Sequence, residues 1–193
     1  MGNHSTKQKI VNTAISLFKE FGYDNVKIED ICQKCEITKS TFYYHFKTKD
    51  AIFSAFNHTV DAYVKSNFNA LLLSGNYVEQ LWNFYKLSMA PTYEAGVEVT
   101  TQIYIINMKN DQHFFAPGEL DIWSTEVLLI KKAQESGQIH NMEDAERVAE
   151  SLVYAMEGVV FVWCVKKGEF DLVERIKEVF MTILQVDEDY RLK

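Results

Sequence analysis

Arginine is absent from the first 58 residues of this 193-residue chain, where eight lysines face six acids and give a charge of +2. The remaining residues carry −9, so the whole chain has a net charge of −7. An acidic chain of this kind is not a wholly basic nucleic-acid coat protein. Its N-terminal part can nevertheless contact DNA locally.

Cysteine and proline are also scarce. Three cysteines, Cys32, Cys35 and Cys164, are too few and too uneven for a disulfide framework, which predicts a reducing, cytoplasmic location. Only Pro91 and Pro117 interrupt long helices. The sequence has no run of 18 apolar residues and no apolar N-terminal segment typical of a signal peptide, so we expect no membrane span and no secretion.

Apolar residues recur every three or four positions along most of the chain, and no segment alternates cleanly as a strand would. This pattern predicts an all-α protein. The predicted helices cover about 7–21, 28–35, 39–46, 48–74, 77–89, 97–109, 120–136, 143–166 and 169–185, with a loop at 110–119.

Two short predicted helices, 28–35 and 39–46, follow a longer one at the spacing of a helix-turn-helix DNA-binding motif. Thr38 is a suitable N-cap for the second short helix, and Phe42 and Phe46 are expected to face inward. Polar groups on the outward face can reach base edges and phosphates. These outward residues are Lys39, Ser40, Thr41, Tyr43, Tyr44 and His45, followed by Lys47 and Lys49.

The stretch Ile37–Phe53 (ITKSTFYYHFKTKDAIF) closely resembles the signature of TetR-family transcriptional regulators, and the resemblance extends over about residues 6–56. It implies a homodimeric, all-helical repressor that binds a palindromic double-stranded DNA operator. A small-molecule effector would release it from that operator. Thr38, Lys39, Ser40, Thr41, Tyr43 and His45 match positions that reach DNA in the family, and Tyr44, Lys47 and Lys49 match phosphate-contacting or supporting positions. The predicted domains are 1–50 for DNA binding and 51–193 for effector binding and dimerisation.

Two residues depart from the family pattern. Glu36 stands where the turn usually has glycine, and a non-glycine residue with positive φ costs about 1 kcal/mol. Lys27 stands where a serine or threonine usually caps the second helix, which weakens the cap by about 1 kcal/mol but adds a possible phosphate contact.

Aromatic residues of the C-terminal part have two interpretations, plain core packing or an effector pocket between helices. The pocket hypothesis is assigned to Trp82, Tyr85, Tyr104, Met108, Trp123 and Glu126. Glu98, Glu126 and Glu157 all occur in largely apolar helices. A buried carboxyl among them would favour a cationic or hydrogen-bond-donating effector.

The last two predicted helices carry more apolar residues than a single inward face needs, which predicts a symmetric four-helix dimer interface. The residues assigned to it are Val153, Met156, Val160, Val173, Ile176 and Phe180.

Three alternatives stay open at this stage. The chain could be a helical small-molecule carrier or enzyme with a degenerate DNA-binding helix, although that helix keeps its lysine, threonine, tyrosine and histidine. It could instead dock on another transcription factor, and it could activate rather than repress.

Cys32 and Cys35 could serve as core residues or as a sensor, with core packing favoured because free cysteine behaves as a small apolar residue. No catalytic residue, metal site or cofactor is predicted.

Overall fold

The computed structural model describes residues 2–56, 66, 75–110 and 123–192, with the side chains of 2–5 and 110 left aside. Across these residues the chain is helical, and the predicted all-α class is confirmed. The helices are α1 Gly2–Phe21, α2 Ile28–Cys35, α3 Lys39–His45, α4 Tyr77–Ala95, α5 Val97–Asn110, α6 Trp123–Glu135, α7 Ala145–Val165 and α8 Leu172–Leu184, with residues 51–56 also helical. Most of the predicted helix 48–74 and the predicted loop 110–119 lie outside the described residues.

The chain divides into two compact units, residues 1–59 with 92–114, and residues 60–91 with 115–193. The first unit therefore extends beyond the predicted boundary at residue 50. One boundary between the two units falls within α4, directly after Pro91. This helix continues six residues past its predicted end, to Ala95. Gly96, at φ +84°, supplies the left-handed residue that ends it.

The core of the first unit combines three N-terminal helices with α5. Helix α1 packs on both α2 and α5. The buried side chains of α1 to α3 include Ile10, Ala14, Phe18, Ile31 and Phe42, and those around α5 are Ala95, Val99, Ile103 and Ile106. The packing of α5 against α1 explains why residues 92–114 join this unit. Cys32 and Cys35 are buried in the same core, as the packing interpretation predicts.

The second unit is built on α6, α7 and α8, with α7 packed against both neighbours. Helix α4 contributes Trp82 and Tyr85, whose rings lie 5.4 and 5.7 Å from the ring of Phe180 in α8. The side chain of Gln138 caps α4, because its Oε1 accepts hydrogen bonds from the backbone N–H groups of Tyr77 and Val78 at 2.8 and 3.1 Å. These contacts fix residues 77–91 of α4 within the second unit.

Helix α7 is long and apolar enough to cross a membrane by length and composition, although its sequence contains no unbroken run of 18 apolar residues. One side of the helix, including Leu152, Met156, Val160 and Trp163, is buried inside the unit. A core helix that packs against α6 and α8 has this pattern, and we assign α7 to the core.

Candidate functional site

The turn between α2 and α3 places Glu36 in the left-handed region, at φ 55° and ψ 43°. Its backbone N–H donates to Gln33 O at 3.1 Å, and Ile37 N–H donates to Cys32 O at 3.0 Å. These bonds close the turn with the geometry that usually calls for glycine. The family resemblance left open a strained turn or a turn of another shape at Glu36, and the structure shows the positive φ of the strained turn.

Glu36→Gly is expected to stabilise the first unit by about 1 kcal/mol, because glycine adopts a positive φ without the steric cost of a Cβ. Thermal unfolding of the purified variant measures the gain. Glu36→Ala is the matched control, since it removes the same charge and keeps the strain. An equal gain in both variants would show that the charge, and not the backbone, limits stability.

Helix α3 is held by its N-cap and by two buried rings. Thr38 Oγ1 accepts a hydrogen bond from the Thr41 backbone N–H at 3.1 Å, which is the predicted cap. Phe42 is fully buried and Phe46 nearly so, with ring centroids 5.9 Å apart. Helix α3 is thus anchored from its inner side, as predicted.

The opposite face of α3 is open to solvent. Tyr43 and Tyr44 are 52% and 73% exposed, and Lys39 and Ser40 are exposed beside them. Thr41 is half-buried, and its hydroxyl lies 2.9 Å from that of Thr38. His45, also half-buried, packs edge-on against the Tyr44 ring. The face therefore presents the hydroxyl, ammonium and aromatic groups that the sequence predicted.

An acid of α2 that was not among the predicted site residues forms an ion pair with α3. Glu29 of α2 forms an ion pair with Lys39, and both side chains are more than half exposed. The bond to Lys39 holds the pKa of the Glu29 carboxyl below its usual range. A phosphate or base that bound Lys39 would have to replace this partner.

The N-terminus of α2 is capped differently from the expectation. Lys27, at the N-cap, has an exposed side chain, and its backbone N–H donates to Asp30 Oδ2 at 2.7 Å. Asp30 therefore supplies the reciprocal half of a capping box in place of the usual serine or threonine cap. The Lys27 side chain stays available for its predicted phosphate contact.

Lys47 and Lys49 have different surroundings. Lys47 is exposed, whereas Lys49 is half-buried and its Nζ donates to the backbone oxygens of Tyr23 and Val26 at 2.6 and 2.8 Å. The same ammonium lies 3.8 Å from the centroid of the Tyr23 ring, and the Tyr23 hydroxyl donates to Asp50. Lys49 therefore occupies a supporting position that ties the segment between α1 and α2 to the residues after α3. The Tyr23–Lys49–Asp50 contacts carry no short-range sequence signal, because 26 or 27 residues separate the partners.

The predicted effector residues are divided between the two units. Trp82, Tyr85 and Glu126 are buried in the second unit, where the Tyr85 hydroxyl donates to Glu126 Oε1. Trp123 is half-buried at the start of α6. Tyr104, half-buried, and Met108, exposed, belong to the first unit. The effector site stays a prediction for all six.

The six predicted dimer residues differ in their exposure within the second unit, and the dimer interface stays a prediction. Ile176 and Phe180 are fully buried inside the second unit, and Met156 and Val160 are nearly so. Their side chains form its core because the inward stripes of α7 and α8 face each other. Val153 and Val173 are half-buried. The surplus apolar surface of α7 is exposed elsewhere, at Tyr154, Phe161, Val162 and Val165.

Residues 10–56 match the model of the bacterial regulatory proteins of the tetR family. The biofilm operon icaADBC HTH-type negative transcriptional regulator IcaR of Staphylococcus epidermidis is 33% identical over 76 residues, 37% of this chain and 41% of that protein. The matched stretch thus spans less than half the length of this relative.

Two solved structures resemble the chain over nearly its full length. A transcriptional regulator from Cytophaga hutchinsonii has a TM-score of 0.67 at 18% identity, covering 91% of this chain and 95% of that one. FadR from Thermus thermophilus, a TetR-family transcriptional repressor solved with lauroyl-CoA, has a TM-score of 0.66 at 16% identity, covering 97% and 95%. At these identities the likeness concerns the fold.

The buried Phe42, the Thr38 cap and the left-handed turn at Glu36 define a helix-turn-helix DNA-binding domain. Residues 10–56 of this domain match the tetR family of bacterial regulatory proteins, which confirms over that stretch the resemblance read from the sequence.

Proposed function

We propose that the chain is a sequence-specific DNA-binding transcriptional regulator, a repressor that a small-molecule effector releases from a palindromic operator. The exposed polar face of α3 carries this proposal, because its inner side is fixed by Phe42 while Tyr43 and Tyr44 point to solvent. An α-helix of this kind fits the major groove. The helix keeps the contacting groups that a degenerate one would lose.

The names of the similar proteins support the sign of control and the effector. IcaR is named as a negative transcriptional regulator, and the Thermus FadR is named as a repressor bound to lauroyl-CoA. We infer that this chain likewise represses transcription and binds an effector. The effector would bind better to the state whose recognition helices do not fit DNA, and so lower operator affinity. Such a protein acts without catalysis in the cytoplasm.

Selection from a pool of randomised DNA duplexes at two salt concentrations tests the proposal. We expect an enriched palindrome whose affinity falls steeply with salt, since phosphate contacts release counterions. Lys39→Ala should weaken this binding. Lys131→Ala removes an equal charge from an exposed position of α6 and should leave the binding unchanged. No enrichment at the lower salt concentration would overturn the proposal and favour the carrier alternative.

We further propose that the exposed apolar face of α7 is the dimer interface. Phe161, Val162 and Val165 lie along this face, and Gly158 leaves space for the close approach of another helix. Beside them runs an open groove of about 540 Å³, lined by Ala155, Gly158, Val159, Val162, Lys166, Glu169, Phe170 and Arg175. A second copy of the chain would cover the same patch symmetrically.

Phe161→Ser is expected to weaken dimerisation by about 2 kcal/mol, because each dimer loses two apolar contacts of about 1 kcal/mol each. Sedimentation equilibrium over a concentration series measures this change. Leu128→Ser is the matched control, since Leu128 is an exposed apolar residue of α6. An unchanged dimer in Phe161→Ser, or equal weakening in both variants, would place the interface elsewhere.

A further inference from the structure

Glu126 is a carboxylic acid buried in the second unit. Among the described residues, the buried polar and charged side chains are Thr100, Asn107, Glu126 and Gln138, and Glu126 is the one carboxyl among them, at 4% exposure. It shares the buried side of α6 with Val127, Leu129, Ile130 and Ala133. An apolar residue would fill such a position at lower free energy, because burying an ionisable group is costly unless it is paired.

The partner of Glu126 is a neutral phenol. The Tyr85 hydroxyl donates to Glu126 Oε1. Burial raises the pKa of Glu126 to about 7, and the Tyr85 hydrogen bond offsets only part of that rise. Besides burial, the hydrogen bond from Tyr85 shifts the pKa of Glu126, and no ion pair joins this carboxyl to a cation among the described residues. The acid therefore lacks a countercharge within the part of the chain that the structure describes.

Aromatic rings accompany this carboxyl. Trp82 and Tyr85 lie one turn apart on α4, and both rings contact Phe180 of α8, with centroids 5.4 and 5.7 Å away. Aromatic faces attract ammonium groups, and an ionised carboxylate attracts them by its opposite charge. The Trp82–Tyr85–Phe180 set, with Glu126 at the Tyr85 hydroxyl, combines both elements.

Building on the proposed function, we propose that the effector is an organic cation with an ammonium group, and that Glu126 receives its charge beside Tyr85 and the neighbouring rings. The resting carboxyl is partly protonated. When the cation binds, the carboxyl O–H bond breaks, the electron pair stays on the carboxylate, and the proton leaves to solvent. Charge is conserved, since one cation enters and one proton departs for each site that was protonated.

The binding experiment uses matched charged and uncharged probes. The probes are choline, its trimethylalkylammonium relatives of increasing chain length, and the tert-butyl alcohols and hydrocarbons that replace nitrogen by carbon. Titration calorimetry in two buffers of different ionisation enthalpy gives the affinity and the number of protons released. Quenching of tryptophan fluorescence provides a second readout, because Trp82 belongs to the cluster.

Wild-type protein should bind cations at least about tenfold more tightly than their neutral counterparts. Near neutral pH it should release about half a proton per cation, as a carboxyl with a pKa of about 7 requires. Glu126→Gln keeps an acceptor for Tyr85 and should abolish both the preference and the proton release. Equal binding of charged and neutral probes, an unchanged preference in Glu126→Gln, or no cation binding in the series would each overturn the proposal.

A ligand-free measurement shows whether Glu126 titrates in the folded protein. Its folded pKa of about 7 lies above the ordinary value of 4.5, so stability falls as the pH rises from about 4.5 to about 7 and stays at the lower level above that pH. Glu126→Gln should therefore melt at a higher temperature than wild type above that pH, with the difference shrinking as pH falls. A pH-independent difference would contradict the assignment of a titrating acid.

Operator binding by the same preparations separates this inference from the function on which it rests. Operator binding with no preference for cations would overturn the cationic effector and leave the regulator intact. Absence of operator binding in the wild type would count against the regulator itself. Release of bound operator by a cation in wild type, but not in Glu126→Gln, supports both.

Discussion

Replacement of Phe42 by alanine is expected to destabilise the first unit by about 3–5 kcal/mol, and to abolish operator binding with it. The ring is fully buried and packs 5.9 Å from that of Phe46, in the core that α1 and α2 form. Deleting it removes the transfer free energy of the ring and leaves a cavity under the recognition helix. Calorimetric unfolding and a gel-shift titration measure the two losses.

Tyr44→Ala is the matched control for Phe42→Ala. Tyr44 stands two residues further along α3 and is 73% exposed, so its truncation should change stability by less than about 0.5 kcal/mol while weakening DNA binding. Phe42→Leu keeps most of the apolar volume and should cost about 1.5 kcal/mol or less. A Phe42→Ala protein that unfolds like wild type would show that α3 is held by other contacts.

The DNA-binding domain was largely predictable because its contacts are local in sequence. Thr38 caps a helix three residues away, and Phe42 and Phe46 follow the helical period, so pattern and structure agree. The left-handed turn at Glu36 was likewise accessible, since the family resemblance places glycine there. Residues 92–114 were not assigned to this unit, because the burial of Ile103 and Ile106 depends on tertiary packing with α1.

The helices of the C-terminal bundle were predictable from the sequence, but which of their apolar faces are buried was not. Both α7 and α8 carry apolar residues on more than one side, so periodicity alone could not say which stripe packs internally. The structure buries Ile176 and Phe180, which the sequence assigned to the dimer interface, inside the second unit and leaves Phe161 and Val165 exposed. A choice between two apolar faces is made by neighbouring helices, which a single helical pattern does not contain.

The burial of Glu126 could likewise not be predicted from the helical pattern alone. The sequence offered Glu98, Glu126 and Glu157 as equivalent acids in apolar helices. The structure exposes Glu98, half-buries Glu157 and buries Glu126 against Tyr85, 41 residues away. Burial and the long-range hydrogen bond from Tyr85 distinguish Glu126 from the other two acids, and that distinction makes the hypothesis about effector charge residue-specific.

Lys49→Met is expected to cost about 3 kcal/mol of stability in the first unit, because two charge-assisted hydrogen bonds to backbone oxygens are each worth about 1.5 kcal/mol. Lys49 Nζ binds the carbonyl oxygens of Tyr23 and Val26, and methionine keeps its aliphatic stem while removing the ammonium. The loss should release the segment between α1 and α2 from the residues after α3. Thermal unfolding of the full chain measures it.

Lys47→Met makes the comparison decisive, since the two lysines stand two positions apart and lose the same charge. Lys47 is exposed, so its loss should leave stability within about 0.5 kcal/mol of wild type and reduce the salt dependence of operator binding by about one counterion. Lys49→Met should show the opposite profile, unstable but with the salt slope retained wherever the protein is folded. If Lys49→Met instead unfolds normally and loses a counterion, Lys49 contacts phosphate as the family resemblance implied, and its bonds to Tyr23 and Val26 contribute little to the stability of the domain.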